Sequence, residues 1–585
     1  MKFKQSIILL SVVILLGATF SSCNKDFLEK TPMDKLVPSA FFTSEKDLNL
    51  FTTSFYQRQL PEGLAIVQKD ENGDFTSKSN SSAFIAGAYS SVNEASWVWT
   101  DLRNINYFLK NYNNPVIPQA ARNHYAGIAR FFRAYFYFDK VQTFGDVPWY
   151  SSALSSEDSA LYKPRDPRTL VMDSVLADLN FAAENIYDTK DATSSTVTRQ
   201  VALAFKARVC LFEGTFRKYH TQLGLTSTSA KWLTEAADAA KKVIDAKKYK
   251  LYTTGVPTKD YRTLFTSESP VVDEVMFSLI YNNALRRWHE ITWKFNSATF
   301  GSRWGLNKQF INTYLMTDGT PFTNIAGYDS KVFVDEMKNR DNRLGQTIRG
   351  LGYKRSDGSA APTNFGYTFT GYHILKFSLD DKRLDGLTES NNSITMFRFA
   401  EVLLNYAEAM SELKLMDATI WSQTIGALRT RAGVNAAVPA TADAYLQTVY
   451  FPEISDKYLL EVRRERGIEL CYEGFRYADL LRWKKGKLLE MQWRGIYVPA
   501  KDLPMDLDGN GTPDVAFVDK APTVKVPGVI YYLLAASAKL SEGTKGFVTW
   551  RDDEKRNFDD KKYLRPISNA DIVINPKLVQ NPGWQ

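Results

Sequence analysis

ERGIELCYEGFRYADLLRW, residues 465–483, sets the terms for the rest of the chain. On a 3.6-residue wheel, Leu460, Gly467, Ile468 and Cys471 share one face. Glu461, Glu465 and Glu469 form a neighbouring stripe at i, i+4 and i+8. Arg463, Arg464 and Arg466 flank both stripes. The helical run starts near Asp456, and Gly474 follows the last periodic residue, where a left-handed helix stop would sit. A second, short helical run follows, with Tyr477, Leu480, Leu481 and Trp483 apolar and Asp479 between Arg476 and Arg482. Two uses fit so many acids and arginines. One is catalysis by paired carboxylates; the other is a partly buried ion-pair lattice that fixes how helices cross. Each carboxylate has several arginines within one turn, and such pairing keeps it ionised instead of preparing it as an acid. The lattice is therefore the expectation.

The pattern E-R-x-x-E-x-x-x-E-G-x-R-x-x-D-L-x-R-W resembles the C-terminal region of the SusD/RagB family of outer-membrane nutrient-binding lipoproteins. Three further segments resemble signatures of that family, in the same order along the chain. They are ARFFRAYFYFDKVQTFGDVP at 129–148, FRFAEVLLNYAEAM at 397–410 and YLRPISNADIVINPKLVQNPGW at 563–584. Glu401 and Glu408 of the second segment are expected to pair with arginines of the opening stretch.

The 585 residues suffice for a large core, and 44% hydrophobic with 24% charged content is ordinary for a soluble globular chain. Thirty-six Phe, 30 Tyr and 12 Trp are enough to supply both a core and a surface that stacks on ligands. A net charge of +8 without a dense Lys/Arg run argues against nucleic-acid binding. His124, His220, His289 and His373 are scattered, with no zinc spacing. Cys210 and Cys471 lie in helical apolar runs and read as small buried hydrophobes, with a disulfide between them left open.

Lys2 and Lys4, an apolar run at 7–17 and small residues before Cys23 read as a secretory signal, too short to span a bilayer. The cysteine after two small residues resembles a bacterial lipoprotein signal, although Phe20 stands where Leu is usual. That resemblance implies acylation of Cys23 and a stable membrane anchor. The expected organisation is a lipoprotein signal peptide (1–22), a tether (23–43), an N-terminal helical region (44–260) and a C-terminal region (261–585) that forms one compact unit with it. The fold class expected is mostly α: tetratricopeptide-like helical pairs as a scaffold, with a loop-rich irregular region packed on it. Helices are predicted over 97–112, 120–144, 169–186, 198–216, 232–246, 395–413 and 418–431, and another from a capping-box start at Ser44. Residues 61–82 read as loops, and 272–385 as irregular structure with short strands.

Sugar rings dock their C–H faces on flat aromatic side chains, and their hydroxyls need short polar partners. Two stretches offer both. One is 70–99, with Asp70, Asp74, Tyr89, Trp97 and Trp99. The other is 281–304, with Tyr281, Asn282, Asn283, Trp288, Trp293, Arg303 and Trp304. Each Trp reads first as core, Trp99 above all, with at least one expected to serve as a ligand platform. Asp506, Asp508, Asn510 and Asp514 follow the D-x-D-x-N-G-x-x-D spacing of a calcium loop, with Phe517 where the usual twelfth-position Glu would be. A structural calcium, or a solvated Asp/Gly turn, fits; no other cofactor is expected.

The family resemblance implies a non-enzymatic lipoprotein on the outer face of a bacterial outer membrane. It would bind an oligo- or polysaccharide and deliver it to a SusC-like TonB-dependent transporter. A peptide ligand, as in the RagB branch, is the main variant. A helical-barrel glycoside hydrolase and a protein-binding tetratricopeptide adaptor are the readings from other classes.

Overall fold

The structure, a computed structural model, describes residues 41–584. The expected signal segment, the acylation site Cys23 and the tether up to residue 40 lie outside the described residues. Ser44 caps α1 (Glu45–Gln59): its Oγ accepts from Asp47 N, while Asp47 Oδ2 accepts from Ser44 N at 2.8 Å. The loop expected at 61–82 contains a short helix, α2 (Gly63–Gln68), and strand β1 (Thr76–Ser77). Then come α3 (Thr100–Asn111), α4 (Gln119–Phe144), α5 (Arg168–Asn185), α6 (Arg199–Tyr219) and α7 (Ser229–Asp245), close to the predicted spans. α4 is apolar nearly all round and is accordingly buried through Phe131, Phe132, Tyr137 and Phe138. Gly145 stops it at φ +77.

Successive helices stack. α1 and α3 lie on α4, α4 on α5, α5 on α6 and α6 on α7. The α6–α7 crossing is close because small residues meet. Ala236, Ala237, Ala239 and Ala240 are buried, and a Cβ on Gly214 would stand 2.9 Å from Leu233 Cγ. With 44% helix and 10% strand, the mostly α expectation holds.

The second half is less regular. β2 (Val275–Leu279) precedes the short helix α8 (Ile291–Asn296) and β3 (Gly305–Leu306), which pairs antiparallel with β1. β4 (Ile394–Arg398) pairs antiparallel with β2, so the helix predicted from 395 begins only at Phe399, as α9 (Phe399–Glu412). All five residues of β4 are buried, and two-sided burial hides the period that would have marked a strand. The helix predicted over 418–431 is interrupted by a π-turn at Ser422–Gly426. α9 lies on α7 and on α10 (Lys457–Glu469), which Asp456 caps, and α11 (Arg476–Arg482) lies on α6. β5 (Trp493–Val498), β9 (Gly546–Trp550) and β8 (Ala538–Leu540) form a three-stranded sheet, and β6 (Val515–Val518) runs parallel to β7 (Ile530–Leu533). Cys210 and Cys471 are both free and buried. Among the described residues, no helix is long and apolar enough to cross a membrane.

α10 is the centre of an ion-pair lattice, as expected, but most of its partners come from farther away than one turn. Glu469 accepts from Arg398 at 2.6 Å and Arg343 at 2.8 Å, and pairs with Arg431. Glu465 pairs with Arg343 and with Arg429 at 3.1 Å. The helix's own arginines mostly serve other acids: Arg463 reaches Glu412 at 3.2 Å, Arg464 reaches Asp443, and Arg466 reaches Asp479 at 2.7 Å; among the described residues only Arg464 also meets the stripe, at Glu461, 3.2 Å away. The reason is burial on every side, which makes each face of α10 meet a different element. Glu408 pairs with Arg482 at 2.5 Å and accepts from Trp483 Nε1 at 2.7 Å, as expected. Glu401 does not join the opening stretch; it pairs with Arg208 of α6 at 2.7 Å.

Candidate functional site

The 70–99 stretch divides between scaffold and surface. Asp70 and Asp74 are buried, so the expectation that they contact ligand is corrected. Asp70 accepts from Gly474 N at 2.9 Å and Arg476 N at 2.8 Å, and so holds the open amides at the start of α11. Burial pushes its carboxyl up to about 7, against the downward pull of those two amides. Asp74 grips Arg476 bidentately at 2.7 and 2.8 Å. Tyr89 is half-buried and donates to Glu94 Oε2 at 2.7 Å; it borders a shallow cleft with Asn72, Ser82, Tyr477 and Arg565. Trp97 and Trp99, both half-buried, help wall a larger pocket of about 750 Å3 with Tyr150, Tyr162, Arg103 and Asp571. Two aromatic rings already meet Trp97 edge to face, Trp99 at 5.2 Å and Phe144 at 4.9 Å.

The 281–304 stretch divides the same way. Tyr281 is buried, and its hydroxyl accepts from Gly63 N at 2.8 Å. Trp304 is buried and stacked at 10° on Tyr472, because β3 begins at the next residue and draws it under the β1–β3 ladder. Both are core residues, not ligand platforms. Between them the chain comes to the surface. Asn283 is exposed and takes the indole N–H of half-buried Trp288 at 2.7 Å. Trp293, on α8, is half-buried and stacked against Phe300, with ring centroids 6.2 Å apart and planes 25° from parallel. Phe300 is 68% exposed. Sequence reading passed over it, although a large aromatic inside Ser-Ala-Thr-Phe-Gly, 297–301, has no apolar period to bury it. Lys294 lies 5.6 Å from the Trp293 ring. Arg303 is half-buried, donates to Phe365 O at 2.6 Å and sits 4.2 Å over the Phe369 ring. This face therefore offers two near-parallel rings with the Lys294 cation beside them, the chemistry that a sugar face and its hydroxyls need.

The 506–514 loop gathers Asp506, Asp508 and Asp514, with one oxygen of each within 4.8 Å of the others. Gly509 and Gly511 turn the chain at φ +79 and +81. Asn510 Oδ1 accepts from Thr512 N at 2.6 Å, and Asp506 accepts from the amides of Asp508, Gly509 and Gly511. Phe517 is buried on β6, and Asp519, the alternative acid, pairs with Lys501. Burial, then Asp508 and Asp506, push the Asp514 carboxyl up, opposed by the Leu507 amide. Three crowded carboxylates with a missing far-side ligand suit a hard, partly hydrated cation.

Two family models match the chain: the SusD family over residues 294–584, and a family described as starch-binding associating with outer membrane over 64–206. A SusD-like protein P2 of Formosa agariphila is 24% identical over 503 residues, covering 81% of this chain and 90% of the relative. A SusD-like protein of Bacteroides ovatus is 21% identical over 98% of this chain and 97% of its own length. Among solved structures, a SusD-like protein of Bacteroides fragilis superposes with TM-score 0.70 at 19% identity, covering 95% of this chain and all of its own. A second Bacteroides fragilis structure, described as a SusD-like carbohydrate binding protein, superposes with TM-score 0.67 at 21% identity, covering 92% of this chain and all of its own.

Proposed function

The chain belongs to the SusD/RagB family, and from that premise we propose that it is a non-catalytic outer-membrane lipoprotein that binds an oligo- or polysaccharide and hands it to a SusC-like TonB-dependent transporter. The observation that carries the ligand class is the Trp293–Phe300 pair, near-parallel rings on an irregular face with Phe300 largely in solvent. Two flat rings paired at the surface suit the C–H face of a sugar. Lys294 would supply a donor beside the platform, and Asn283, Trp288 and Arg303 would meet the ligand elsewhere along the 281–304 stretch. Trp97 and Tyr89, on surfaces that share no residue with it, would contact further lengths of a long chain. The carbohydrate binding stated for one of the structural neighbours supports the same reading.

The acids of the central stretch do not favour hydrolysis. Burial pushes Glu469 up, but Arg431, Arg398 and Arg343 outweigh it and hold the carboxyl well below the usual range. Such a group neither donates nor accepts a proton near neutral pH. Acylation at Cys23 would hold the body at the membrane, and the 506–514 loop would take calcium as a structural ion.

The test is equilibrium binding of purified protein, lacking the signal segment, to a panel of polysaccharides and peptides. Retention of a polysaccharide, weakened in a W293A/F300A double variant, is the expected result. Retention of peptides alone would replace the ligand class. Binding that the double variant leaves untouched would remove this face from the mechanism. Release of a Cys23→Ala variant from membranes, with loss of a co-purifying barrel, checks the anchor and the partner.

A further inference from the structure

A cavity of about 380 Å3 lies away from the aromatic face, on the seam between the two halves of the chain. It is walled by α4, α6 and α11, with the 562–565 segment across one side. α4 turns one stripe toward it: Tyr135, Phe138 and Gln142, at i, i+3 and i+7. α6 adds Phe205 and Phe212, and α11 adds Tyr477 and Ala478. Aromatic rings thus stand on all three helices. Among them are three polar groups that no other protein group satisfies. The Tyr135 and Tyr477 hydroxyls and the Gln142 amide have no hydrogen-bond partner among the described residues, and all three are open to water.

The cations along the cavity are already held. Arg208 pairs with Glu401 at 2.7 Å, Arg466 with Asp479 at 2.7 Å and Arg482 with Glu408 at 2.5 Å. Lys562 donates to Asn557 O at 2.6 Å. The lining charges without an ion pair among the described residues are Lys69 and Asp139, both exposed and so at the rim, and they are of opposite sign. An ionic ligand would find no free counter-charge inside. A neutral ligand rich in hydroxyls would meet donors, acceptors and flat rings together. Asn72, Tyr477 and Arg565 also border the cleft of Tyr89, which gives such a ligand a way in.

We propose that this seam cavity binds a neutral mono- or disaccharide, held by the Tyr135 and Tyr477 hydroxyls and the Gln142 amide against the rings of α6. A hydroxyl and a primary amide each donate and accept, as sugar hydroxyls do, so bonds to water are exchanged for bonds to the ligand. The volume lies toward the lower end of the range for small-ligand pockets, which suits a short sugar and not a stretch of polymer. No residue of the Trp293–Phe300 pair lines the cavity, so the site stands whether or not that face holds a polymer.

The chain without its signal segment is titrated calorimetrically with free neutral disaccharides built of glucose, galactose, mannose or xylose. At least one should bind with one-to-one stoichiometry and raise the melting temperature, since it bridges both halves. A W293A/F300A variant, expected to lose polysaccharide, should keep the disaccharide. Tyr477→Phe, which removes a hydroxyl and keeps the ring, should weaken binding about three- to tenfold. Ala478→Trp, which fills the cavity, should abolish it; where that variant does not fold, Tyr477→Phe decides alone. Failure of every disaccharide to bind overturns the site, as does binding that is lost in W293A/F300A or untouched by Tyr477→Phe. A polysaccharide retained while no disaccharide binds leaves the proposed function standing. A disaccharide bound here while every polysaccharide passes leaves the cavity standing and overturns that function.

Discussion

Glu469 is the residue on which most of the interior charge converges: Arg343, Arg398 and Arg431 all end on it, and it is wholly buried. Removing one partner of a buried pair strands the rest, at about 3–5 kcal/mol. Glu469→Gln, which keeps the shape and loses the charge, should therefore cost about that much in urea unfolding; a loss under about 1 kcal/mol would mean the lattice is idle. On the surface, Phe300→Ala should weaken glycan binding about tenfold by calorimetry with no change in melting temperature, because its ring is largely in solvent. The kind of interaction at Glu469 was legible from the i, i+4, i+8 stripe. Its partners were not, since 343, 398 and 431 reach it through tertiary packing that no local window contains. The same limit explains the tryptophans. Trp304 and Trp293 look alike in sequence; one precedes a paired strand and goes inside, the other lies on a short helix and stays half out.

At the scale of elements, the junction between α10 and α11 turns on Gly474, left-handed as expected, although α10 itself already ends at Glu469. Its φ is +85, and a Cβ there would stand 2.8 Å from Ile66 O. Gly474→Ala should cost at least about 1–2 kcal/mol from the left-handed backbone alone, seen as a lower urea midpoint with unchanged slope. The 506–514 loop makes a separate prediction. Millimolar calcium should raise the melting temperature by a few degrees, magnesium should do less, and Asp508→Asn should abolish the effect. No calcium response in the unaltered chain would return the loop to a plain turn. Long helices were readable because three or more turns repeat the apolar period. β4 was not, being buried on both faces, and the 493–550 strands are short pieces whose partners lie across loops.

Across the whole molecule, acid should be the weak side. Burial drives His220 and His289 down to about 4, so the folded state keeps them neutral and binds fewer protons than the unfolded chain once pH falls below 6.5. Burial pushes Glu408 up, but Arg482 and its neighbours hold it at about 2, so its contribution is full above 4.5 and lost between about 4.5 and 2. Asp70, raised to about 7, works the other way, gaining stability as pH falls from 7 toward 4, but as a single group. Calorimetric melting from pH 8 to 3 should show a decline that starts near 6.5 and steepens below 4.5; a melting maximum near pH 4 would contradict the sign. The helix-stack scaffold with an irregular face was legible as a whole, while the face itself had to be seen. The tie from Asp70 to Gly474 and Arg476 spans more than 400 residues. During synthesis the early loop has nothing to close on until the last part of the chain emerges, and closing so long a span is slow. Neighbours made close to it in sequence cover Phe-rich α4, so what waits for codon 476 is the seam between the two halves and not the helical core.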